Sequence, residues 1–141
     1  MSTPVHGLIL FAHGARDPRW AVPFEAVAAH VRAQRPGCLV RLAFLEFMTP
    51  DLAMAGAELA AAGCERVDVL PLFLGTGGHV RKDLPVLMDA LGHAHSNTCF
   101  ALHPAVGEMA AVTQAMADVA VALLGAVTPL PPSPKSPPSP V

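Results

Sequence analysis

Four short apolar runs, each followed by a helical pattern, constrain this chain more than any other feature. "VHGLILFA" (5–12), "CLVRLAFLE" (38–46), "RVDVLPLFL" (66–74) and "NTCFALH" (97–103) read as strands, bounded by Gly, Pro or polar residues. Residues 21–35 place Val22, Phe24, Val27, Ala28 and Val31 near one helical face. Thr49 is expected to cap a second helix, with Pro50 at its first position and Gly63 as its stop. Residues 82–91 and 107–124 supply two more helices. Parallel strands need crossover connections, and right-handed crossovers place helices on both faces of a sheet. The expectation is an α/β fold, a four-stranded parallel sheet flanked by helices in flavodoxin-like fashion.

Length and composition exclude several alternatives. A chain of 141 residues suits one domain. Hydrophobic content of 52% with 14% charged residues argues against general disorder, and a net charge of −2 gives no support to nucleic-acid binding. The first apolar run is too short to cross a bilayer and has no basic segment before it, so no membrane association is expected. Cys38, Cys64 and Cys99 show no CxxC pairing and read as core thiols in a reducing cytoplasm. From Thr128 the sequence becomes "TPLPPSPKSPPSPV". Proline cannot donate to helix or sheet ladders, so the division expected is a domain over 1–127 and an extended, disordered proline-rich tail over 128–141.

In open α/β sheets ligands bind beyond the carboxyl ends of the strands, where strand order reverses. The segments that follow the first three strands are "HGARDPRW", "EFMTP" and "GTGGHVRKD". They bring His13, Glu46 and His79 to one edge, each 33 positions from the next. With strand order 2-1-3-4, the two histidines face each other across the crevice. Two imidazoles and a carboxylate suit divalent Co, Ni, Fe or Zn, and without thiolates such a set holds a metal without trapping it. His6, His30, His93, His95 and His103 have no comparable setting.

The loop "LGTGGH", Leu74 to His79, satisfies neither the GxxxxGK[ST] nor the GxGxxG phosphate fingerprint. Glycines at 75, 77 and 78 instead remove side chains beside a histidine, which admits a large flat ligand to the backbone. Arg16, Arg19, Arg81 and Lys82 concentrate in the same two loops of a chain with nine basic residues. Guanidinium groups there would orient an acidic ligand.

"FAHGARDPRW", "FLEFMTPDL" and "LPLFLGTGGHVRKDLP" together resemble the small CbiX-type class II chelatases, from about Leu8 to Leu124. Members usually read HGSRDP where this chain has Ala15, a departure that removes one hydroxyl and no ligand. The resemblance implies a chelatase-like half-domain that inserts a divalent metal into sirohydrochlorin without ATP or any cofactor, as in cobalamin biosynthesis. It assigns His13 as proton acceptor and metal contact and His79 as the second metal histidine. Glu46 becomes a substrate-contacting acid, and Leu74, Gly75, Thr76, Gly77 and Gly78 the macrocycle-contacting loop. Arg16 falls to substrate binding through the acidity of the tetrapyrrole. Larger class II chelatases resemble two such units fused, so a homodimer is expected, with Phe44, Phe47, Met48, Leu72 and Phe73 near its shared cavity.

Cobalt is the first expectation for the metal, with nickel and iron as alternatives. Two other readings stand beside insertion: a non-catalytic metal carrier, and a histidine phosphatase-like enzyme. The phosphatase motif reads RHG, whereas Ala12 precedes His13 here, so the phosphate-clamping arginine is missing.

Overall fold

The computed structural model describes residues 5–125. The proline-rich stretch from 128 and the first four residues lie outside the described residues. Four strands, β1 (Val5–Ala12), β2 (Cys38–Phe44), β3 (Cys64–Pro71) and β4 (Cys99–Leu102), form one parallel sheet in the order β2-β1-β3-β4. The helices are α1 (Val22–Gln34), α2 (Leu52–Ala61), α3 (Gly78–Ala94) and α4 (Ala110–Gly125), with short 3-10 turns at Pro18–Ala21 and Val106–Glu108. The strand order is the one on which the crevice argument rested.

Strand alternation divides the core between two faces. Ile9, Phe11, Val67 and Val69 point to the face covered by α2 and α3, where they pack with Leu52, Ala55, Leu59, Leu84 and Leu91. Leu10 and Val40 point to the opposite face, beneath Ala28 and Val31 of α1. Strands buried on both faces read as continuous apolar runs, as β1 does.

The element boundaries depart from expectation where local chemistry differs. Helix α2 is capped by Asp51, whose carboxylate accepts from the Met54 N–H at 2.8 Å, and not by Thr49. Pro50 precedes that cap in a cis peptide with Thr49, and so lies outside the helix. Gly63 ends the helix as expected, at φ +89°. Helix α3 begins four residues before the expected 82, so His79 stands in its first turn. Of the three thiols, Cys64 is buried and Cys38 half-buried, but Cys99 is exposed at the start of edge strand β4. Burial pushes the Cys38 and Cys64 thiols up.

Candidate functional site

β1 ends at Ala12, and backbone bonds tie the next residues to the end of β2. The Leu45 N–H donates to the Ala12 carbonyl at 2.9 Å, and the Glu46 N–H to the His13 carbonyl at 3.1 Å. This seam needs Gly14. At φ +88°, a Cβ on it would sit 1.9 Å from the Glu46 carbonyl oxygen. His13 and Glu46 are thereby locked side by side through the main chain, with the Glu46 side chain exposed.

The His13 ring lies on Phe73, centroids 4.2 Å apart and planes 30° from parallel. Phe73 is itself buried and packs on Phe11 at 5.7 Å. The imidazole therefore rests on a rigid aromatic floor, and among the described residues no side-chain hydrogen bond engages its nitrogens. Such a ring keeps both nitrogens available for a proton or a metal ion.

Beyond Glu46 the chain makes a tight turn in which the Met48 N–H donates to the Glu46 carbonyl at 2.8 Å. Phe47, at its centre, has φ 66°, a left-handed conformation that costs a non-glycine residue roughly 1–2 kcal/mol. The residue is 59% exposed, and the Arg16 guanidinium lies 5.1 Å from the ring centroid. An exposed aromatic held in a strained turn beside an arginine presents a flat apolar wall with a cation attached. Arg19 is engaged locally by Asp17 at 2.7 Å, which leaves Arg16 as the arginine of this loop facing the edge.

On the other side, Gly75, Gly77 and Gly78 meet nothing within 4 Å of an added Cβ, and Leu74 is exposed. Neither protein atoms nor a positive φ require glycine at these three positions. Gly107 is the opposite case: its N–H donates to the Phe73 carbonyl at 2.9 Å, and a Cβ would lie 1.8 Å from the Leu74 carbonyl oxygen. A 180 Å³ cleft beneath the loop is lined by Phe73, Thr76, Arg81, His103 and Glu108, with Arg81 3.8 Å from Glu108 across it.

His13, Glu46, Arg16 and the Leu74–Gly78 loop thus share the carboxyl edge, and His79 opens α3 at the same edge. They do not form a closed ligand sphere. Among the described residues, no group of three or more His, Cys, Asp or Glu side chains is placed to hold a metal ion. The packing of His13 on Phe73, and the close backbone approaches at Gly14 and Gly107, were not foreseen. A lone glycine two residues before Met109 gives no sequence signal of a contact with Leu74.

A family model for CbiX matches residues 7–122. The chain belongs to the CbiX family. A CbiX protein of Marinobacter aquaeolei VT8, named for cobalamin (vitamin B12) biosynthesis, superposes with TM-score 0.76 at 30% identity, covering 86% of this chain and 99% of that one. SirB of Bacillus subtilis, solved with Fe3+, shares the fold at 18% identity and TM-score 0.69, with 81% of this chain matched to 45% of SirB. The sirohydrochlorin cobaltochelatase of Saccharolobus solfataricus is 35% identical over 82 residues, 58% of this chain and 62% of that protein. The namesake of Methanosarcina acetivorans is 28% identical over the same share of this chain and 63% of its own. The matched segment therefore spans less than two thirds of these curated relatives' length. The CbiX match includes every segment of the edge described above.

Proposed function

We propose that this CbiX protein inserts a divalent metal, Co2+ foremost, into sirohydrochlorin, without ATP or a resident cofactor, in the cytoplasm. The observation that carries this reading is His13, an imidazole with no side-chain hydrogen bond, set on the Phe73 ring at the edge shared with the glycine loop. Insertion requires that the metal ion shed water, reach one face of the macrocycle, and displace two pyrrole N–H protons. A neutral imidazole can take a proton or contact the metal, and His13 is assigned both roles in turn. His79, on the first turn of α3, is the second metal contact.

The macrocycle is assigned to the space between the Phe47 wall and the open glycines. Glycines that the fold itself does not need are explained by a ligand that approaches the backbone there. Leu74 and Thr76 line that approach, and Glu46 contacts the macrocycle beside His13. Arg16 meets a peripheral carboxylate, and the unpaired N–H groups at the start of α3 favour anionic charge nearby. An open metal position fits a metal that is substrate and must leave bound to product. A second copy of the chain is expected to complete the cavity.

The test is conversion of sirohydrochlorin by purified protein in the presence of Co2+ with no nucleotide. Insertion faster than in buffer is expected. Competition among Co2+, Ni2+ and Fe2+ decides the metal, with most product carrying cobalt under this reading. Folded protein that binds sirohydrochlorin without accelerating insertion would instead favour a carrier.

A further inference from the structure

Most arginines that face a carboxylate in this fold are seated on it. Arg19 reaches Asp17 at 2.7 Å, Arg66 reaches Asp68 at 2.9 Å and Arg41 reaches Glu58 at 3.1 Å. Arg81 differs. It faces Glu108 at 3.8 Å, beyond hydrogen-bond reach, and both side chains are more than half exposed, so solvent screens the attraction between them. Neither position is loose, however. The Arg81 N–H donates to the Gly77 carbonyl at 3.1 Å in the first turn of α3, and the Glu108 N–H donates to the Ala105 carbonyl at 2.9 Å, next to Gly107 pressed against Leu74. The fold sets a carboxylate opposite a guanidinium without seating it in the fork that bidentate pairs use.

Between these two side chains lies the 180 Å³ cleft. Pockets that enclose a whole drug-sized ligand begin at about 300 Å³, so this one is too small for a macrocycle and suits a short chain ending in a carboxylate. Its floor is apolar, since Phe73, Leu84 and Ala105 are all buried. Its mouth is polar. Thr76 comes from the glycine loop, between Gly75 and Gly77, while His103 is already held by Asp68 at 2.7 Å. Arg81 is therefore the cation of this cleft with donors to spare. The same Phe73 carries the His13 ring at 4.2 Å, so a group bound in the cleft is one side chain away from the proposed base.

We infer that this cleft takes one carboxylate side arm of the tetrapyrrole, that Arg81 anchors it, and that Glu108 is the carboxylate the arm displaces from the guanidinium. The inference rests on the reading of sirohydrochlorin as the substrate. Before binding, Glu108 keeps the guanidinium directed across the cleft. Once the arm fills the fork, with its methylene carbons over the apolar floor, Glu108 remains beside it as a like charge. Like charges side by side oppose binding, so Glu108 loosens the hold on substrate and product alike. It is a specificity residue, which admits a ligand whose carboxylate can take its place and leaves a ligand without one facing an occupied arginine.

The test is binding of metal-free sirohydrochlorin to the full chain, which separates affinity from insertion. Trp20, the one tryptophan of the sequence, lies in the loop after β1, and its quenching reports the bound tetrapyrrole. Arg81→Ala should raise Kd about tenfold or more, the scale of a charge-assisted contact, and Arg81→Lys should recover part of that loss. Glu108→Gln should act in the opposite direction, lowering Kd about two- to fivefold. Glu58→Gln removes the same charge at a remote pair and should leave Kd at the native value. If Arg81→Ala does not fold, the two glutamate variants decide. Native affinity in folded Arg81→Ala, no tightening in Glu108→Gln, or equal tightening in Glu58→Gln would each overturn the inference while leaving the substrate reading intact. Folded native protein that does not bind sirohydrochlorin would overturn that reading, and this inference with it.

Discussion

Two sets of histidines sit on this sheet, and their surroundings differ in kind. His6 and His103 converge on Asp68, with Nε2 to carboxylate distances of 2.5 and 2.7 Å, and Arg66 joins them at 2.9 Å. Burial pushes the Asp68 carboxyl up, but hydrogen bonds from Arg66, His103 and His6 outweigh it and hold the group well below the usual carboxylate range. His13 has a ring beneath it and no such clamp. A clamped imidazole contributes to stability and has little left to offer a substrate. One that is oriented by packing but unbonded at nitrogen is poised for chemistry.

The most direct way to break this contrast is to remove one histidine from each set. His13→Ala is expected to lower sirohydrochlorin metalation at least 100-fold, the usual scale for losing a positioned base, with little change in the urea midpoint. His103→Ala should do the reverse, losing stability while holding turnover within a few-fold. Equal turnover losses in the two variants would erase the distinction.

Glycines offer a second contrast at the same edge. Gly14→Ala forces a Cβ into the Glu46 carbonyl at a left-handed position, adding about 1–2 kcal/mol of backbone strain to about 1–3 kcal/mol of overpacking. Gly75→Ala meets open space and should stabilise the chain by about 0.4–1 kcal/mol through the unfolded state. It should nevertheless raise KM for sirohydrochlorin. Denaturation curves and steady-state kinetics on the pair separate a glycine kept by the fold from one kept for a ligand.

The sheet and the crevice were legible because both rest on periodicity. Apolar runs ending in "HG", "EF" and "GTGGH" fix the strands, and parallel connectivity then brings their carboxyl ends together. What was not legible depends on tertiary contact. Asp51 displaced Thr49 as helix cap because the helix begins at Leu52, where the Asp51 carboxylate accepts from the Met54 N–H. Asp68 reads in sequence as a stray charge within a strand, and its two histidines lie 62 and 35 positions away. The early start of α3, which moves His79 from loop to helix, goes against the low helix propensity of Gly78.

Asp68 also sharpens the contrast through pH. A carboxyl whose folded pKa is depressed contributes stability above its unfolded pKa of about 3.9, and loses that contribution as pH falls toward the folded value. Asp68→Asn should therefore cost about 2 kcal/mol at neutral pH, in keeping with hydrogen bonds to a charged group. The gap from the native protein should narrow as pH drops below about 4. A gap of constant size down to pH 2 would mean that the cluster acts through packing and not through charge.

The smallest expected effect, and the most specific, is at Phe47. Its left-handed backbone costs roughly 1–2 kcal/mol for any side chain with a Cβ, and glycine escapes that cost. Phe47→Gly and Phe47→Ala both remove the exposed ring and its contact with Arg16, so both should weaken sirohydrochlorin binding to a similar extent. They should differ in stability. The glycine variant relieves strain but frees the unfolded chain, at about 0.5–1 kcal/mol, and should remain the more stable of the two by up to about 1 kcal/mol in urea titrations. If the two variants lose affinity unequally, the backbone shape of the turn governs binding and the ring is incidental. If both bind as the native protein does, the strained aromatic serves the fold alone, and the wall of the proposed cavity must be sought elsewhere along the edge.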